Sequence, residues 1–303
     1  MEYRTKVTIL SALLGVLCLT AVLGVVFNQT AVAQRQAQEP LVAFQPSDVV
    51  SIDLGNTLLL TKTAKTWNLS FQGKPFPASS ERVDTWLQSV SRLSRERLVT
   101  EGADVKAFGL DQGFKSVKIL GAGSKVLADL QIGGTNQQGD KAYVRLAGQK
   151  QVWQTDRAFA RSLDLDFNTW ADRALFPGRK ADSLIRVSFD SRIEVSKTVY
   201  GPFDLVKATK DGKSVWQDRT KTSTEAMTSW AAQVPLFQFT AFVSPSEAPA
   251  AATVLGTLTL GWSDGNQTTI KIGPPDAQSR YRCSDGTREF YVSDWALAQL
   301  LYR

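Results

Sequence analysis

Apolar and polar positions alternate along residues 49–54, 57–63 and 66–71, which predicts three short strands, the third carrying Trp67. The period then changes. Val83, Trp86, Leu87, Val90 and Leu93 form one stripe at helical spacing, Ser79 or Ser80 stands at the N-cap, and Glu81 suits the positive end of the helix. Period two returns at 116–120, 126–132, 142–146 and 151–154, with turns at Gly121-Ala122-Gly123 and Ala147-Gly148-Gln149. Asp156 caps a short helix reaching Leu163.

The order then begins again. Strands are predicted at 183–189, 193–198 and 203–208, with Phe203-Asp204-Leu205 standing for Trp67-Asn68-Leu69. Thr222 and Glu225 read as a capping box, and Met227, Trp230, Ala231 and Val234 form the second helical stripe. Strands follow at 255–261, 267–272, 279–283 and 289–292, joined by Ser263-Asp264-Gly265-Asn266 and Asp285-Gly286, and Asp294 caps a final helix. Residues 143–163 align without a gap onto 281–301 at one offset of 138 (281 − 143), pairing Tyr143 with Tyr281, Gly148 with Gly286 and Asp156 with Asp294. This self-similarity predicts a duplicated module, with Trp86 and Trp230 as equivalent core anchors.

Short hairpin-linked strands with helices after strand groups predict an α+β fold: two tandem duplicated units of mainly antiparallel sheet packed with helices. A single N-terminal transmembrane helix precedes them. Residues 7–27 carry no charge and span about 30 Å as a helix, close to one hydrocarbon core. Arg4 and Lys6 precede the run and the next cation is Arg35, which places the N-terminus in the cytoplasm of a bacterial inner membrane and the body in the periplasm or outside. Ala31-Val32-Ala33 has the form of a signal-peptidase site, so cleavage after Ala33 stays open beside a retained anchor. The expected domains are an anchor at 1–33, a linker at 34–48, unit one at 49–177 and unit two at 178–303. Pro177-Gly178 marks the junction, residues 170–178 a groove, and 244–252 a flexible loop inside unit two.

Composition narrows the chemistry. The 303 residues are 43% hydrophobic and 21% charged, which is globular. The net charge of +6 is scattered. Its densest stretch, 207–221, also holds Asp211 and Asp218, so it reads as a solvated loop and no nucleic-acid partner is expected. The absence of histidine excludes Ser-His-Asp and Cys-His sites and imidazole ligation. Cys18 lies in the apolar run, and Cys283 reads as a half-buried strand residue. Asp156, Asp164 and Asp166 are spaced for caps rather than for a calcium loop, and Ser196-Lys197-Thr198 lacks the step a serine–lysine hydrolase needs. No catalytic, cofactor-binding or metal-ligating residue is assigned.

The order of these pieces resembles the domain of unknown function 4340 family of bacterial envelope-associated proteins. The likeness rests on the apolar anchor, Trp67-Asn68-Leu69 with Pro77 and the Trp86 helix, and Phe108-Gly109-Leu110-Asp111. It continues through Leu130-Gln131-Ile132-Gly133, Tyr143-Val144-Arg145, Val152-Trp153, Asp172-Arg173 and Leu175-Phe176. Unit two departs from it, with 244–252 where Phe108-Gly109-Leu110-Asp111 would stand. The resemblance implies an accessory protein of the kind found beside gliding-motility-type ABC transporter subunits. The expectation is therefore a membrane-anchored, non-enzymatic binding or scaffold protein with a protein partner or a second copy of itself. Two alternatives make other forecasts. A glycan-acting enzyme needs paired carboxylates in one cleft, and a glycan-binding module needs a row of exposed aromatic rings.

Overall fold

The computed structural model describes residues 39–102, 104–220, 222–247 and 253–303. The expected membrane helix, the cleavage position after Ala33, Cys18 and residues 34–38 of the linker lie outside the described residues. Among those described, no helix is long and apolar enough to cross a membrane. The described residues divide into two compact units between Trp170 and Ala171.

In the first unit β1 (Val49–Leu54), β2 (Leu58–Thr63), β3 (Thr66–Phe71) and β4 (Lys74–Pro77) form a meander, and α1 (Ser80–Ser91) follows. The chain then returns as β5 (Arg97–Thr100), β6 (Lys115–Gly121), β7 (Val126–Thr135), β8 (Lys141–Leu146) and β9 (Val152–Asp156), with α2 (Arg157–Ser162) and α3 (Phe167–Trp170) at its end. The nine strands form one antiparallel sheet in the order β4-β3-β2-β1-β6-β7-β8-β9-β5. Val83, Trp86, Leu87 and Val90 of α1 are all buried, as the stripe predicts.

The second unit runs β10 (Leu184–Phe189), β11 (Ile193–Val195), β12 (Thr198–Tyr200), β13 (Phe203–Lys210), β14 (Lys213–Gln217), α4 (Glu225–Gln233) and β15 (Ala241–Phe242). It continues with β16 (Gly256–Trp262), β17 (Gln267–Pro275), β18 (Arg280–Ser284), β19 (Glu289–Ser293) and α5 (Asp294–Leu300). Its sheet order is β14-β13-β10-β16-β17-β18-β19-β15, and β11 and β12 pair apart as a hairpin. Both sheets thus place the strand after the helix at the far edge, beside β9 or β19.

The likeness extends to irregular details. The β1–β6 ladder shifts between Val49 and Ser51, and β10–β16 shifts between Leu184 and Arg186. The β7–β8 ladder shifts between Ile132 and Thr135, and β17–β18 between Ile272 and Pro275. Each unit also opens on the same bridge. Leu41 N–H donates to Leu93 C=O (2.6 Å) and Arg95 N–H to Glu39 C=O (3.0 Å). Leu175 N–H donates to Phe237 C=O (2.9 Å) and Phe239 N–H to Arg173 C=O (3.0 Å). Leu41, Val42, Leu175 and Phe176 are buried behind these bridges.

Those bridges move two expected boundaries. Residues 39–42 of the expected linker are an integral part of the first unit. The second unit begins ahead of Pro177-Gly178, because the buried Leu175 and Phe176 belong to its core. The ungapped offset of 138 is also one residue out of register. Ile132 pairs with Val144 and Ile272 with Cys283, so Val144, not Arg145, is the counterpart of Cys283. A one-residue slip exchanges sheet faces, which is why Tyr143 is half-buried while Tyr281 is buried.

Further corrections are local. Ser293, not Asp294, is the N-cap of α5 and accepts from Ala296 N–H; it answers Asp156, which accepts from Ala158 N–H. Thr224, not Thr222, caps α4 through Met227 N–H. Phe203-Asp204-Leu205 lie on β13, which pairs with β10 as β2 pairs with β1. The counterpart of Trp67 is therefore Trp216 on β14, since both strands reach the following helix: Trp67 Nε1 donates to Asp84 (2.9 Å), and Trp216 N–H meets Thr228 Oγ1 (3.4 Å). The expected strand at 193–198 is a hairpin turning at Ser196 and Lys197, both at positive φ. The basic stretch read as a loop is mostly the β13–β14 hairpin with Trp216 buried inside it.

Candidate functional site

The residue types weighed for chemistry are engaged in structure. Asp164 accepts from Asp166 N–H (3.0 Å) and Thr169 Oγ1 (2.7 Å), and those bonds hold its carboxyl below the usual range. Asp166 accepts from Asn168 N–H (2.9 Å), and Asp156 is a cap. Cys283 is buried, and desolvation pushes its thiol up to about 12. Ser196 donates to Asp294 Oδ2 (2.9 Å), while Lys197 lies beyond it in the hairpin turn. Gly123, at positive φ, serves the turn into β7. Among the described residues, no group of three Cys, Asp or Glu side chains could hold a metal ion.

The tryptophans are mostly interior. Trp67, Trp86, Trp153, Trp170, Trp216 and Trp262 are buried, Trp230 is half-buried, and Trp295 is 70% exposed. A single open indole is not the row of rings that a glycan platform uses.

Two places gather residues that the sequence keeps far apart. In the first unit the turn Phe108-Gly109-Leu110 lies against the bulge at Gly133-Gly134. A Cβ on Gly133 would overlap the Phe108 carbonyl oxygen and come within 2.9 Å of Leu110 Cγ. Phe108 meets Tyr143 edge-on at 4.9 Å. Arg145 donates to Gln131 Oε1 from Nε (2.9 Å) and Nη2 (2.6 Å), and Nη2 also reaches Leu110 C=O at 3.3 Å. Three stretches read separately are thus one packed knot. Its donors and acceptors satisfy each other, so it is a fold device rather than an open site.

In the second unit an open cleft of ≈ 260 Å³ is lined by Phe176, Pro177, Arg179, Thr268, Thr287 and Arg288, among others. Arg288 donates to the carbonyls of Ala174 (3.1 Å) and Leu175 (2.8 Å) and pairs with Asp285 (2.7 Å). Burial pushes the Asp285 carboxyl up, but bonds from Thr287 and Arg288 outweigh it and leave it lowered. Arg179 stacks over Trp262 at 4.9 Å and pairs with Asp264 (2.6 Å), whose carboxyl is held at about 2 by that guanidinium and by Asn266. Both cations are matched by carboxylates, and the volume falls below the range of about 300–1,000 Å³ usual for small-molecule sites. The cleft staples the entry segment to its unit and offers no poised acid, base or nucleophile. Arg179 and Arg288 were not legible as a pair, because 109 residues (288 − 179) separate them.

A family model described as "Domain of unknown function (DUF4340)" matches residues 71–256, more than half of the chain and part of each unit. No curated protein and no solved structure matches.

Proposed function

The chain belongs to the domain of unknown function 4340 family, and from that premise we propose that it is a membrane-anchored, extracytoplasmic contact protein. It serves as an accessory component of an envelope or ABC-transporter-type complex. The uncharged run at 7–27 is its single-pass helix, with the N-terminus in the cytoplasm of the bacterial inner membrane. Its two units are copies of one ancestral module, a reading supported by the common strand order, the paired bulges and the repeated entry bridge.

The entry bridge carries the functional reading. It fixes the chain to the body at Glu39, and eleven residues (28–38) separate that point from Phe27. At no more than about 3.6 Å per residue the tether reaches about 40 Å. The first unit is then confined near the bilayer, where contacts with a membrane-embedded complex gain from high local concentration. The engaged carboxylates and arginines described above favour contact over chemistry.

Alkaline phosphatase fused after Arg303 should be active, and a reporter that matures only in the cytoplasm should stay dark; the reverse pattern sinks the topology. The mass of the mature chain distinguishes a retained anchor from cleavage after Ala33. Crosslinking of the intact protein in cells should capture an envelope or transporter component.

A further inference from the structure

We draw no further inference here: the strongest candidate, the aromatic side of α5, where the half-buried Trp230 meets Tyr302 and donates to the Gln299 carbonyl one turn from the exposed Trp295, carries nothing because nothing in the structure shows what covers it.

Discussion

Gly133 has no room for a side chain, because the Phe108 carbonyl and Leu110 Cγ occupy the place its Cβ would take. The obstacle is backbone packed in a bulge, which cannot swing aside as a side-chain tip can. Gly133→Ala should therefore cost about 3 kcal/mol, the upper part of the overpacking range, read as a lowered denaturation midpoint with an unchanged slope. A variant as stable as the parent would mean that the turn is not seated on the bulge. Gly133, Phe108 and Arg145 are each visible in the sequence, but their convergence is not, since β7, β8 and a long loop intervene. Tyr143 and Tyr281 show the opposite hazard. Identical residues in an ungapped match sit on opposite sheet faces, because strand parity follows hydrogen-bond register and not residue identity.

Among the elements, β4 shows why an edge strand is hard to see and what it does. Phe71 and Lys74 flank the Gln72-Gly73 turn, so Pro75 and Pro77, opposite Ser70 and Asn68, are the positions whose nitrogens point away from β3. Proline removes the donor at both, and the edge cannot template another strand there. Pro75→Thr combined with Pro77→Thr should open it, giving concentration-dependent self-association in light scattering; a strictly monomer-like response would show that other features protect this edge. The α1 stripe was plain from its period. Strands β4, β5 and β14 were not, since these edge strands of four or five residues are too short and too exposed to show the alternation that half-burial imposes.

At the scale of the molecule, each unit closes its own core, so fragments 39–170 and 171–303 should each fold with cooperative thermal unfolding in circular dichroism. A second-unit fragment cut at 178 should be much weaker. It loses the buried Leu175 and Phe176, and large apolar side chains of that kind contribute about 2–5 kcal/mol each. Equal stability of the two fragments would remove the entry segment from the core. Periodicity, turn residues and the uncharged run were sufficient, unaided, to predict an antiparallel α+β body in two similar parts behind an apolar segment, because alternation and helical stripes are local consequences of which side of an element is buried. Register, the true start of each unit and the uneven covering of Trp86 and Trp230 emerged only from the folded chain. Each of them depends on hydrogen bonds and ring contacts between segments distant in sequence, and no local pattern encodes which of them will meet.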